Sequence, residues 1–342
     1  MAEPVSIILP VFNGERYIEA AIRSVLGQTY RDFELLILND GSTDRTLELC
    51  AIYARDPRVR IVDHADRAGI THRLNEGLAL ARYEWIARMD ADDICHPWRI
   101  AHQMAYVSQH PKCVLVATQV HVIDENGRYL RTEGLPAAFL YYSLHFECCI
   151  FHPTILFQRK AILDIGGYQL PFAEDYDLFV RTMQRYRLGG VDEPLLSYRI
   201  HQKSTHRHLY REAYASASNE VSHRVWLSVC PDLPPASYLR AYQYDYSELH
   251  DVEEMQDCLE TLDRFSITLL HLDNPNRHIP DMLYIWSYKR NLMLQQMAAR
   301  LSPGKALRFI GKQMHKAPAG RVFPVSWSRL VWQKIRSHGI SS

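Results

Sequence analysis

The sequence predicts an α/β protein: a mainly parallel sheet with helices on both faces, followed by a mostly helical C-terminal extension. Three observations lead there. Short, almost wholly apolar runs such as Ser6-Ile-Ile-Leu9 and Leu35-Leu-Ile-Leu38 alternate with longer stretches whose apolar residues recur at mixed three and four spacing. Such unbroken apolar strands suit a sheet covered on both faces, and strand–helix alternation is the pattern of parallel crossovers. Beyond about residue 208 the strand-like runs give way to helical periodicity.

Strands are expected over 5–9, 34–39, 59–62 and 85–89, with a fifth over 114–118. Helices are expected between them over 15–28, 43–54, 70–81 and 98–109. Asn13-Gly14 ends the first strand and opens a helix with Glu15 in its first turn. After the second strand, Gly41 permits a sharp turn, and Ser42 or Thr43 is placed to cap the next helix. From about residue 120 the pattern loosens, until a Gly166-Gly167 turn leads into a helix at Glu174-Asp-Tyr-Asp-Leu-Phe-Val-Arg181. Later helices are interrupted by loops at Cys230-Pro-Asp-Leu-Pro-Pro235 and His271-Leu-Asp-Asn-Pro-Asn276. The expected division is a catalytic domain over 1–210 and a helical extension with a basic tail over 211–342.

Composition excludes several classes. Apolar content of 47% and charged content of 23% describe a folded globular chain without repeats or low-complexity tracts. Seven cysteines without a C-x-x-C pair suggest neither a disulfide framework nor zinc, and a reducing cytoplasm is expected. No charged-then-apolar leader opens the sequence, and no apolar run approaches the roughly 18 residues of a membrane span, so export and spanning are not expected. Net charge is zero, yet no acidic residue follows Asp281, while Lys289, Arg290, Arg300, Lys305, Arg308, Lys312, Lys316, Arg321, Arg329, Lys334 and Arg336 do. Over 326–336, Trp327, Leu330, Val331 and Ile335 fall near one helical face, which suits either a peripheral contact with the inner membrane face or packing on the protein itself. No aromatic–basic recognition motif accompanies this charge, so nucleic acid is not an expected partner.

The chemistry concentrates where the apolar run Trp85-Ile-Ala-Arg-Met89 meets Asp90-Ala-Asp-Asp93. Carboxylates so close repel one another unless a cation or a set of donors compensates. A turn or cap would use the same residues. At the carboxyl edge of a parallel sheet, however, they are placed to meet a ligand, and a hard divalent ion prefers such oxygens. Asp40 ends the second strand in the same way and can accept a hydrogen bond from a base or ribose, or serve its own turn.

Four segments together, Ser6-Ile-Ile-Leu-Pro-Val-Phe-Asn13, Asp40-Gly-Ser-Thr-Asp44, Asp90-Ala-Asp-Asp93 and Glu174-Asp175, resemble the inverting family-2 glycosyltransferases over roughly residues 4–205. The resemblance implies a GT-A fold, a nucleoside-diphosphate sugar donor, with UDP favoured, and Mn²⁺ or Mg²⁺. It implies that Phe12 and Asp40 meet the base, with Pro10 and Asn13 beside them and Arg73 and Asn75 bordering base or ribose. Asp90 falls near the ribose, Asp92 at the metal, and Asp175 at the general base, with Glu174 its acidic partner. His201 matches a metal or diphosphate ligand of some relatives; capping or packing is the alternative. The expected activity is metal-dependent, inverting transfer of a hexose-type sugar to a glycan or lipid-linked acceptor, in surface-polysaccharide biosynthesis. Two alternatives remain: a sugar nucleotidyltransferase, whose glycine-rich basic loop Pro10-Val-Phe-Asn-Gly-Glu-Arg16 does not supply, and a non-catalytic nucleotide-sugar-binding relative. One departure is Tyr83-Glu84, where relatives often have glycine to end the preceding helix.

Overall fold

The computed structural model describes residues 3–201 and 211–314. Its strands are β1 (Val5–Val11), β2 (Phe33–Asp40), β3 (Val59–His64), β4 (Trp85–Arg88), β5 (Ile94–Cys95), β6 (Cys113–Ile123), β7 (Tyr129–Glu133), β8 (Leu156–Gln158) and β9 (Arg187–Arg199). They form one sheet in the order β3-β2-β1-β4-β8-β6-β9-β5, with β7 paired to β6. β3, β2, β1 and β4 are mutually parallel, as is β6 with β9, whereas β8 runs antiparallel to both its neighbours.

Side-chain alternation sorts the core into two faces. Ile7, Leu9, Leu35 and Ile37 meet the helices Ile18–Leu26 and Arg99–Gln109 on one side. Ile8, Leu36 and Leu38 meet Leu74 and Leu78 of the helix Ile70–Leu80 on the other. That second core continues into the helices Arg211–Leu227, Ala236–Tyr242, Val252–His271 and Ile279–Ala298. At its centre Trp226 stacks on Phe265 at 4.2 Å and on Tyr242 at 5.5 Å, and Phe146 packs edge-on against Tyr242. No helix among the described residues is long and apolar enough to cross a membrane.

Several expectations need correction. The first helix starts at Ile18, because Glu15, Arg16 and Tyr17 form a turn closed by the Tyr17 N–H on the Gly14 carbonyl (3.0 Å). β9 was not expected, since Gly189, Gly190 and Pro194 interrupt its pattern. Those glycines let helices press on the strand: a Cβ on Gly189 would lie 2.5 Å from the Tyr106 ring, and one on Gly190 3.0 Å from Ala137. The helix Ile70–Leu80 ends without glycine, on an extended Ala81. The Arg82 N–H then donates to Glu34 Oε1 (2.7 Å) and the Tyr83 N–H to Ser6 Oγ (3.1 Å), so buried side chains satisfy the turn.

Two cations of the basic stretch are internal. Lys289 Nζ donates to the Tyr242 carbonyl (2.6 Å), and burial pushes its ammonium down to about 8. Arg290 donates to both oxygens of Asp263 at 2.9 Å. The tail over 326–336, like His206 and His208, lies outside the described residues.

Candidate active site

Strand order reverses between β1 and β4, so their carboxyl ends border a crevice. β4 pairs with β1 only as far as Arg88 opposite Ile8, so the missing N–H of Pro10 interrupts no bond to it. Phe12, just beyond β1, is 38% exposed, and the Arg67 guanidinium lies 4.1 Å from its ring centroid. Asn13 adopts φ +50° and is stitched to the loop after β2. Its Oδ1 accepts from the Thr43 N–H (2.8 Å), and its own N–H donates to Ser42 Oγ (2.9 Å). Ser42 and Thr43 therefore serve Asn13, and the turn entering the helix Thr46–Ala51 is held by Asp44, which accepts from the Thr46 N–H (3.0 Å).

Asp40 and Arg73 are buried against each other. Asp40 Oδ1 accepts from Arg73 Nε (2.7 Å) and the Ala68 N–H (2.8 Å), and Oδ2 from the Gly69 N–H (2.9 Å). Arg73 also donates to Glu76 and to the Asp66 carbonyl. The pair thus fixes the 66–69 turn, leaving spare acceptor capacity on Oδ2. Asn75 is a clamp: its amide donates to the Tyr168 carbonyl and accepts from the Tyr168 N–H, holding the turn after Gly166-Gly167.

Asp90, Asp92 and Asp93 bring ligand oxygens within 4.8 Å of one another. Each has a different neighbour. Buried Arg88 pairs with Asp90, and His201 Nε2 lies 2.9 Å from Asp92 Oδ2. Asp93, only 1% exposed, accepts from the Arg199 N–H through Oδ1 (2.8 Å), while its buried Oδ2 takes no hydrogen bond from the described residues. Burial, then the charges of Asp92 and Asp90, push the Asp93 carboxyl well above the usual range. The end of β9 secures this group: Arg199 Nε donates to the Asp92 carbonyl (2.8 Å), and the Arg199 guanidinium covers the Tyr17 ring, which leans on His201.

The second acidic pair lies where Ala173, in the left-handed region at φ +54°, turns the chain into the helix Glu174–Arg185. Both Glu174 and Asp175 are buried. Burial and then Asp175 raise Glu174 to about 8, against the opposing field of Arg88. His152 Nδ1 stands 3.8 Å from Glu174 Oε1, and its Nε2 meets the Tyr168 hydroxyl at 3.0 Å. Asp175 Oδ1 accepts from the Tyr176 N–H (2.8 Å) and the Tyr214 hydroxyl (3.4 Å), and Cys148 Sγ lies 3.8 Å from Oδ2. Arg88, paired with Asp90, opposes the upward push on both Asp93 and Glu174.

Residues 6–166 match the family described as glycosyl transferase family 2. The O-antigen biosynthesis glycosyltransferase WbnJ of Escherichia coli is 34% identical over 210 residues, covering 59% of this chain and 82% of that one. The chain belongs to glycosyl transferase family 2. The putative glycosyltransferase EpsE of Bacillus subtilis, 30% identical over 58% of the chain and 73% of its own length, is a further relative of this glycosyltransferase. In fold it is similar to S. aureus TarS 1–349, solved with UDP-GlcNAc (TM-score 0.55, 17% identity, 93% of each chain). It is also similar to the Pyrobaculum calidifontis mannosyltransferase PcManGT, solved with GDP-Man and Mn²⁺ (TM-score 0.51, 17% identity, 87% of this chain and 86% of that one). These likenesses establish the GT-A type of sheet.

The acidic group fits a hard divalent cation. Arg88 already balances Asp90, whereas Asp92 and the unsatisfied buried oxygen of Asp93 are oxygen donors of the kind such ions prefer. Sequence reasoning left Asp93 without a role and missed Arg88, Arg199, Tyr17 and His152. Arg88 did carry a signal, since a charge inside an apolar strand requires a buried partner. Tyr17 and His152 carried none, because their relevance arises from contacts with residues far away in the chain.

Proposed function

We propose that this glycosyltransferase moves a hexose-type unit from a nucleoside-diphosphate sugar, preferably a UDP-sugar, to a hydroxyl of a glycan or lipid-linked acceptor, with inversion at the anomeric carbon. The observation that carries the reading is the gathering of Asp90, Asp92 and Asp93, with ligand oxygens within 4.8 Å of one another, in a chain that also buries Glu174 and Asp175 at a helix start. Phe12 offers an exposed ring face for the base, the Asp40–Arg73 pair a rigid floor beside it, and Asp90 a carboxylate for the ribose. Asp92 and Asp93, with His201 alongside, would hold Mn²⁺ or Mg²⁺. When bound, such an ion neutralises charge developing on the leaving diphosphate.

Asp175 supplies the other half. The acceptor oxygen attacks the anomeric carbon while the bond to the diphosphate breaks, and the hydroxyl proton passes to the Asp175 carboxylate. A single in-line displacement converts an α-linked donor into a β-linked product. The catalytic domain is proposed to span 1–210, with 211–342 as its extension. Surface-polysaccharide assembly at the inner membrane face is the proposed setting, supported by the O-antigen relative and by the absence of acidic residues after Asp281.

The test is release of nucleoside diphosphate from UDP-, GDP- and dTDP-sugars with Mn²⁺ or Mg²⁺. Asp175→Asn should lower turnover by about 10² to 10⁴-fold while sparing donor binding. Asp92→Ala should weaken metal-dependent donor binding as well as rate. Wild-type turnover by both variants would refute the proposal.

A further inference from the structure

We infer that Tyr214, on the helix Arg211–Leu227, is a positioning residue that fixes the Asp175 carboxylate so that Oδ2 faces the acceptor hydroxyl. The inference rests on the proposed role of Asp175 as general base. It carries the proposed machinery past the proposed domain boundary at 210, well beyond residues 6–166 of the family match.

The two carboxylate oxygens are held unequally. Oδ1 accepts from the Tyr176 N–H at 2.8 Å and the Tyr214 hydroxyl at 3.4 Å. Oδ2 has beside it the Cys148 thiol at 3.8 Å, and a thiol is a weak donor. Donors on Oδ1 draw charge to that oxygen and stop the carboxyl plane from turning. Oδ2 keeps its lone pairs, so it is the better placed of the two to take a proton. A backbone N–H from the same residue stretch cannot alone set the plane, since one contact leaves rotation about the Cβ–Cγ bond. The second contact, from another helix, restricts it.

Tyr214 is held in place by a continuous helical face. Tyr214, Ser218, Val221 and Val225 recur at i, i+4, i+7 and i+11, and both valines are buried in the core shared with the helix Glu174–Arg185. Arg224 pairs with Asp177, one helical step from the catalytic pair, and latches the two helices together. The same helix supports the other side of Asp175. Its Trp226 packs edge-on against Phe146 at 6.5 Å, and Phe146 precedes Cys148 by two positions. One helix therefore steadies both groups that flank the carboxylate.

A double-mutant cycle on the full chain tests this, using Tyr214→Phe, Asp175→Asn and the combination. The probe is the nucleotide sugar from the UDP-, GDP- and dTDP-sugar panel that the wild type turns over fastest with Mn²⁺. Tyr214→Phe keeps the ring and removes the hydroxyl. It should lower kcat about tenfold, leave KM for the donor and the thermal melt unchanged, and cause no further loss on the Asp175→Asn background. Losses that multiply in the double variant would overturn the inference, as would a rise in KM without a fall in kcat. A normal Tyr214→Phe rate beside a crippled Asp175→Asn enzyme would overturn it while leaving the base assignment standing. Normal turnover by Asp175→Asn would remove the assignment and the inference together.

Discussion

Glu174→Gln isolates the consequence of crowding two carboxyl groups at one buried helix start. Glu174 is raised from its ordinary 4.5 to about 8, first by burial and then by Asp175. Above pH 4.5 the unfolded chain releases this proton, whereas the folded protein keeps it until about pH 8. Folding therefore takes up a proton throughout that window, and stability falls as pH rises, by up to about 1.4 kcal/mol per unit. Carried across the window this amounts to a ceiling of about 5 kcal/mol. Gln removes the ionisation but leaves a buried amide, whose own burial costs about 1–3 kcal/mol. The net expectation is a variant roughly 2 kcal/mol more stable than wild type at pH 8, with the advantage vanishing or reversing towards pH 5. Urea unfolding of both proteins at pH 5, 6, 7 and 8 measures the difference, in which the titrations of groups that do not interact with Glu174 cancel. Because Glu174 is protonated at pH 7, Gln should also keep turnover within about threefold of wild type, unlike Asp175→Asn. A stability difference constant from pH 5 to 8, or one that grows in favour of Glu174, would refute the reasoning.

Two further perturbations probe the support and the donor side. Asp177 is wholly buried and bonds Arg181 at 2.6 Å while also pairing with Arg224. Asp177→Asn should cost about 2–3 kcal/mol in urea unfolding, because Arg181 keeps the Ile165 and Gly167 carbonyls but loses its counter-charge. Phe12→Ala should weaken UDP binding about tenfold in a titration calorimeter while barely moving the melting temperature, since the ring is exposed and a stacked base is worth about 1–3 kcal/mol. Unchanged affinity would remove Phe12 from the base site.

What the sequence made legible were the parts whose physics is local. β1 and β2 carry unbroken apolar runs over 7–9 and 35–38, β3 and β4 short ones, and the helices between them repeat at helical spacing, so the parallel half of the sheet follows from pattern. The acidic run stood out for the same reason. β9 did not, because its two glycines admit Tyr106 and Ala137, a requirement visible only once those helices are in place, and Pro194 breaks the pattern further. Asp40 and Arg73 illustrate a different limit. Position marked both for a nucleotide, but only the structure shows their charges spent first on each other and on the 66–69 turn.

Arg88 offsets part of the negative charge gathered around the ends of β4 and the helix Glu174–Arg185. A buried carboxylate beside another resists ionisation, and both Asp93 and Glu174 are pushed up accordingly. An exposed lysine would be screened and mobile, whereas a guanidinium fixed inside a strand of the central sheet holds its charge at a constant place in low dielectric. From there it pairs with Asp90 and lowers the push on both Asp93 and Glu174. The arrangement separates the two chemical tasks. Asp90 already has Arg88 as its counter-charge, which under the proposed function would leave Asp92 and Asp93 to a cation, while Glu174 is raised to about 8 by burial and by Asp175. Under the proposed function, a buried strand residue thereby sets the electrostatics of both carboxyl groups.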